Sequence, residues 1–338
     1  MSFVTTLREV AQEVGMSIST VSRAISGNGQ VSPEARELIR QTVDRLGFKP
    51  NPIAQGLRTG RTNAVAVVVS DIEQGSQASL TKCLQQALEE VGVEMILMNL
   101  SHDVSRLNLL AERVEAMRLR GVILAATDRL PPRQVRALVE GVGEGVEVLS
   151  VGQRLDRYAI PSFVHDETGA AEMAVTYLLK NKRWPIAYCS RVRSSITGEE
   201  RLRGYVMALE KAGITIDQDL IWDMSDSGLF RQAAGFTAVT QALQRKTPFR
   251  ALLAGSDEIA LGAMAAVLDG GLQVPKDVAI IGFGGLDWGA SVRPRLTTLT
   301  SDLAGIAKGI QARFAANRID KAPMLTTSKR ELCLRASA

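Results

Sequence analysis

Between Leu7 and Leu46 the apolar residues recur at helical spacing in three short runs: Leu7, Val10, Ala11 and Val14; Ile18, Val21 and Ile25; Ala35, Leu38, Ile39, Val43 and Leu46. Steps of three and four residues place each set on one helix face, which predicts a small three-helix unit whose stripes pack together. The punctuation agrees: Thr6 with Glu9 forms a capping box, Gly15 ends the first helix, and Ser32-Pro33 with Glu34 opens the third. Lys49-Pro50-Asn51-Pro52 then breaks the pattern, and residues 53–58 form a linker with a helical option. From Ala64 short β-branched runs (65–69, 95–98, 122–125, 146–151, 186–188, 251–254, 278–281) alternate with amphipathic helices. That alternation predicts βαβ units and parallel sheets. The expected class is therefore α/β behind a helical headpiece. About 270 residues of this texture exceed one comfortable core, so two doubly wound lobes with a cleft between them are expected.

Composition adds a bias and several exclusions. The chain has 338 residues and a net charge of +4, yet the first 61 residues already carry eight basic against five acidic side chains. The excess is concentrated where the three-helix unit lies, as a nucleic-acid partner would require. Cys83, Cys189 and Cys333 are far apart and lack CxxC spacing, which points away from a disulfide framework or a zinc site and toward a reducing, cytoplasmic setting. No apolar signal core or membrane-spanning run is present, so export and a membrane role are not expected. His102 and His165 belong to no catalytic triad pattern, and Asp71, Asp257 and Asp287 lack metal-ligand spacing. No catalytic residue, metal or cofactor is expected.

The second helix carries the first functional signal. With Val10, Val14, Ile18, Val21 and Ile25 locking a helix pair across small Ala11, Ser17, Ser19, Thr20, Ser22 and Arg23 are left pointing away. Short hydroxyls reach phosphates and bases, and an arginine can fork onto guanine, so this face suits the DNA major groove. Spacing alone leaves open an ordinary helical hairpin.

The stretch Leu7 to Ser26 resembles the headpiece of the lactose/galactose repressor family. So do Val31-Ser32-Pro33-Glu34-Ala35-Arg36, Leu46-Gly47-Phe48-Lys49-Pro50-Asn51, Leu57-Arg58-Thr59-Gly60-Arg61-Thr62, Val278 to Phe283, Pro294 to Leu299 and Glu331 to Arg335. The likeness spans nearly the whole chain. It implies a helix-turn-helix headpiece at 1–49, a hinge at 50–62 and a core at 63–338. The first lobe would take about 63–160 and 290–322, the second about 161–289 and 323–338. The implied function is a cytoplasmic transcription regulator, probable role a repressor, that binds operator DNA as a homodimer under control of a small effector. Ile18, Ser19 and Arg23 would read bases, and Ser17, Thr20 and Ser22 would contact phosphates. Thr6, Asn51 and Ala54 complete the DNA-contacting set, with Leu57 as an apolar minor-groove wedge. The hinge is expected to order only on DNA, since Gly56 costs about 1 kcal/mol of helix stability in a segment too short to fold alone. With no appended leucine heptads at the end of the sequence, a dimer is the expected unit.

The same resemblance implies a periplasmic-binding-protein-like core with the effector between its lobes. Its candidate contacts are Asp71, Gln153, Arg154, Asp166, Glu199, Phe230, Ser256 and Gly284. Several depart from the family pattern. Glu73 to Gln77 replaces the usual aromatic platform, Glu199 replaces a sugar-clamping arginine, Ser256 an asparagine, and Gly284-Gly285 an acidic pair. The run Gly282 to Gly289 resembles the gluconate-repressor branch, and Arg154 could pair a carboxylate bidentately. The implied effector is a sugar acid such as gluconate or 2-ketogluconate, or another sugar. Ordinary structural roles compete for these residues: Phe230 as core, Asp166 and Asp257 as helix-start residues. The competing functions are a solute-binding protein without DNA binding and a sugar-metabolising α/β enzyme. The first would need an export signal and the second a nucleophile, base or phosphate loop.

Overall fold

The computed structural model describes residues 5–26, 31–48, 60–315 and 323–338, and the chain divides into two compact units, 1–63 and 64–338. In the first, helices α1 (Leu7–Glu13), α2 (Ile18–Ser26) and α3 (Pro33–Leu46) enclose Val10, Ala11, Val21 and Ile39. The predicted punctuation is present. Thr6 and Glu9 satisfy each other's backbone N–H groups, and Ser32 caps α3 at Ala35 N. Gly15, at φ +66°, makes the turn between α1 and α2, a conformation that costs glycine nothing. Ile18 is 48% exposed, against its predicted place in the core. Met16, on the turn, packs against the core cluster instead, so the first turn of α2 projects outward.

The second unit holds two six-stranded sheets. The first is built from β1 (Ala64–Val69), β2 (Glu94–Asn99), β3 (Gly121–Leu124), β4 (Glu147–Val151), β5 (Ser162–His165) and β11 (Leu325–Ser328), all parallel, in the order β11-β5-β4-β3-β1-β2. Helices α4 (Gly75–Glu89), α5 (Leu110–Ala116), α6 (Pro132–Gly141) and α11 (Leu303–Phe314) flank it. The second sheet comprises β6 (Ile186–Ser190), β7 (Ile221–Asp223), β8 (Ala251–Ala254), β9 (Ala279–Gly284), β10 (Thr297–Thr300) and β12 (Leu332–Cys333) in the order β12-β10-β9-β8-β6-β7. Only the short edge strand β12 is antiparallel. It is flanked by α7 (Glu167–Lys180), α8 (Ile196–Lys211), α9 (Arg231–Gln244) and α10 (Asp257–Asp269). Val65 to Val69 and Ala251 to Ala254 are buried along their whole length, as strands covered on both faces must be.

The lobe limits differ from those expected. Strands β5 and β11 belong to the first sheet, and β10 to the second. Each sheet takes one more parallel strand at its growing edge before the chain leaves it. The chain therefore crosses between lobes at 166, between Thr300 and Leu303, and between Ser328 and Leu332.

Candidate functional site

In the headpiece unit, Val21 closes the core while Ser17, Ser19 and Arg23 stand exposed on the other side of α2 and Thr20 and Ser22 are half-buried. Ser17 Oγ accepts the Thr20 N–H at 3.1 Å and shares hydrogens with the Ser19 and Thr20 hydroxyls at 2.8 Å each. Arg23 Nε donates to Ser19 O at 3.2 Å, laying the guanidinium along the helix. A helix start bearing three linked hydroxyls, an exposed isoleucine and an arginine offers phosphate donors and base-edge contacts on one face. Thr6 is held in its capping box. Asn51, Ala54 and Leu57 lie outside the described residues.

In the core, the loops after the strands of both sheets converge on a cavity of about 130 Å³. With about 10–15 Å³ needed per water-sized site, it holds on the order of ten small groups, the size of one monosaccharide. Of the eight residues proposed for it, Phe230, Ser256 and Gly284 line the cavity. Ser256 also caps α10 at Ile259 N. The other five are placed elsewhere. Gln153 is buried with its amide consumed by backbone: Nε2 donates to Ala126 O and Asp128 O, both at 2.7 Å, and Oε1 accepts from Leu130 N at 3.3 Å. Arg154 is exposed and pairs with Asp156 at 3.5 Å. Asp166 caps α7 at Gly169 N. Glu199 pairs with Arg129 at 2.6 Å, so its negative charge is answered outside the cavity. Asp71 stands behind the wall, 3.5 Å from Arg231 and 3.7 Å from His102.

The wall is made largely by residues the pattern did not single out. Across the lobe interface His102 stacks on Phe230, ring centroids 4.1 Å apart, and Arg191 lies 4.5 Å from the same ring. Arg191 reaches Asp128 at 3.1 Å, and Arg231 reaches Glu73 at 2.5 Å, so ion pairs tie the lobes at the cavity's edge. Glu258 accepts the Gly75 N–H at 2.7 Å across the same gap. At the floor, the buried Glu167 carboxylate accepts from Arg330 Nη2 at 2.6 Å and Nε at 3.0 Å and from Arg201 Nε at 2.8 Å. Burial would raise the Glu167 carboxyl, but the two guanidinium groups outweigh it and hold it well below the usual range. A signal for Arg201 existed. It falls on the buried row Thr197, Gly198, Arg201, Gly204, Tyr205 and Ala208 of α8, and an arginine on an otherwise small and apolar stripe needs a partner. Glu167 and Arg330 are separated by far too much sequence for spacing to pair them.

His165 sits beside this floor, its Nδ1 2.7 Å from Ser328 Oγ. Burial first, then the charges of Arg330 and Arg201, lower it from 6.5 to about 4, with Glu167 and Asp302 opposing. The unfolded chain therefore binds a proton that the folded one refuses between these values. Stability is expected to fall as pH drops from about 6.5 toward 4, with a slope of at most about 1.4 kcal/mol per pH unit. Urea unfolding at several pH values should show a shallower loss in His165→Gln; an equal loss in both proteins would remove His165 from the account.

Residues 6–51 match the family described as bacterial regulatory proteins, lacI family, and residues 62–308 the family described as periplasmic binding proteins and sugar binding domain of LacI family. Catabolite control protein A of Priestia megaterium is 28% identical over 313 residues, covering 91% of this chain and 92% of the relative. The HTH-type transcriptional regulator AscG of Escherichia coli (strain K12) is 29% identical over 313 residues, covering 92% and 91%. Among solved structures, the lac repressor dimer bound to operator and the anti-inducer ONPF has the same fold, with a TM-score of 0.81 over 99% of both chains at 21% identity. The transcriptional regulator CelR–cellobiose complex gives a TM-score of 0.70 at 27% identity, covering 99% of this chain and 100% of that one.

Proposed function

The chain belongs to the LacI family of bacterial regulatory proteins and is a DNA-binding transcriptional regulator with a sugar-binding type of core, and on that footing we propose that it grips operator DNA as a homodimer and is switched by a small sugar acid held between its lobes. The observation that carries the DNA half is the outward face of α2, where Ser17, Ile18, Ser19 and Arg23 stand clear of a core closed by Val21. One helix of this length reads too few base pairs for useful specificity, which two copies on a pseudo-palindrome supply. The relatives are transcriptional regulators, in keeping with a core that acts by binding and not by catalysis. No described helix is long and apolar enough to cross a membrane, and a DNA-bound regulator works in the cytoplasm.

For the effector, the argument from Arg154 is withdrawn, because that side chain is exposed and paired outside the cavity. The acid reading rests instead on the arginines that do line it, and on Glu199 being paired away from it. Effector control is a coupling between two sites and must be reciprocal: if the effector changes operator affinity by a given factor, operator must change effector affinity by the same factor, typically about 5- to 150-fold. Paired titrations of the full chain test this, and unequal factors would break the two-state account.

Two substitutions probe the DNA contacts. Arg23→Ala is expected to relax base preference at one position of each half-site and to cost about 1–3 kcal/mol per lost contact. Leu57→Ala, at the proposed wedge, should straighten the bound operator. Footprinting and circular-permutation bending assays check both; uniform weakening on every sequence would make Arg23 a phosphate contact, and an unchanged bend would make Leu57 a linker residue.

A further inference from the structure

All three crossings between the lobes of the core meet at one charge cluster. Glu167 opens α7 just past the first crossing, Thr300 and Ser301 lie at the second, and Arg330 is on the third. Arg330 binds all of them: its Nη2 and Nε hold the Glu167 carboxylate, and its Nη1 reaches Thr300 O at 3.4 Å and the Ser301 hydroxyl. From α8, Arg201 donates to the same carboxylate through Nε and to Gly255 O through Nη1. Two guanidinium groups thus share one carboxylate. The floor carries a net positive charge in a site where unanswered charge is costly.

Arg201 has unused capacity. The side chain is nine-tenths buried and lines the cavity, and its Nη2 amino group finds no acceptor among the described residues. On the same cavity Gln74 Oε1 is a buried acceptor without a donor. An anion for Arg201 and a hydroxyl for Gln74 are the two missing partners. Neither phenyl ring on the wall offers a clear platform for a sugar ring. Phe230 is stacked by His102 and approached by Arg191, while Arg201 and Arg330 lie 4.2 and 5.7 Å from the Phe283 ring.

Resting on the regulator reading above, we propose that the effector is an open-chain polyhydroxy anion whose acid group pairs with Arg201 at the lobe crossings while one of its hydroxyls donates to Gln74. The anion competes with Glu167 for Arg201 and so acts on the segments that set the angle between the lobes. Effector charge and lobe geometry are linked at one side chain. Glu258, on the same wall with one oxygen engaged by Gly75, can accept a further hydroxyl of the ligand.

The test is calorimetric titration of the full chain with gluconate, galactonate, 2-ketogluconate and 6-phosphogluconate, against glucose, galactose and inorganic phosphate. At least one acid is expected to bind ten times more tightly, or better, than its neutral sugar, with an affinity that falls as salt rises. Arg201→Gln should weaken that acid about 10- to 100-fold and Arg201→Lys less, as loss of a charge-assisted bond predicts. Gln74→Met should cost about 2- to 10-fold for the acid and leave inorganic phosphate unaffected. Preference for 6-phosphogluconate, with competition by inorganic phosphate, assigns the anion to phosphate and supports the same anchor. Equal binding of glucose and gluconate, no acid bound below about 1 mM, or full affinity in Arg201→Gln overturns the proposal. If Arg201→Gln is unfolded by circular dichroism, the acid-to-sugar ratio and Gln74→Met decide the matter alone. Absence of operator binding by the full chain under every condition would instead defeat the regulator reading.

Discussion

A chain lacking residues 1–61 is expected to lose specific operator retardation by at least about a thousandfold, since specific sites outbind non-specific DNA by roughly that factor or more. Its core should keep its thermal transition and its effector binding. The reason is the separation of the hydrophobic clusters. Val10, Ala11, Val21 and Ile39 pack only with partners between Leu7 and Phe48, and the four clusters of the core draw only on residues from Ala64 onward. No shared core is broken by the cut, so the loss should be one of recognition and not of folding. Gel retardation of a palindromic fragment, run beside a thermal scan of both chains, measures this. Retained specific retardation by the shortened chain would move the DNA interface onto the core; a collapsed thermal transition would show that the core needs the headpiece to fold.

How much of this was legible follows from which forces are local. The three-helix unit announces itself in residues a few positions apart: the 3.6-residue period, the Thr6–Glu9 box and the Gly15 turn. The strands likewise show as β-branched runs, because parallel strands covered on both faces must be apolar throughout. The lobe limits were not legible in the same way. Strands β5 and β10 differ little in texture from their neighbours, and the sheet each joins is decided by tertiary pairing. The cleft was the least legible part. Resemblance pointed to positions such as Gln153, Arg154 and Asp166, but a side chain's role is set by what stands opposite it. Here the backbone of 126–130 claims Gln153, Asp156 claims Arg154, and the start of α7 claims Asp166. Asp257 shows the same effect in reverse. As a helix-start residue it is fully buried and accepts from Leu286 N at 2.8 Å, filling space beside Gly284. Ile18 shows that periodicity can overreach: its spacing fits the stripe, yet it is the residue the headpiece leaves outside.

Glu167→Ala is expected to be among the most destabilising single changes in the core, costing about 3–5 kcal/mol, because it leaves two buried guanidinium groups without their shared carboxylate. Both arginines are at most 9% exposed, so water cannot replace what is lost. For a domain of this size that corresponds to a fall in Tm of roughly 5–15 °C. Glu167→Gln should cost less, since its amide oxygen still accepts one of the three hydrogen bonds the carboxylate takes. Adding Arg330→Met to Glu167→Ala should recover part of the loss, because one uncompensated charge is then removed along with its partner. Thermal scans of the three variants give the comparison, and a drop under about 2 °C in Glu167→Ala would show that the pair is not holding the crossings. The consequence for control follows from position. Arg330 reaches all three chain crossings, so its loss of a fixed partner should loosen the angle between lobes before it unfolds either sheet. In Glu167→Gln, a variant mild enough to stay folded, operator affinity should therefore respond less steeply to effector, measured as a smaller ratio between the liganded and free dissociation constants.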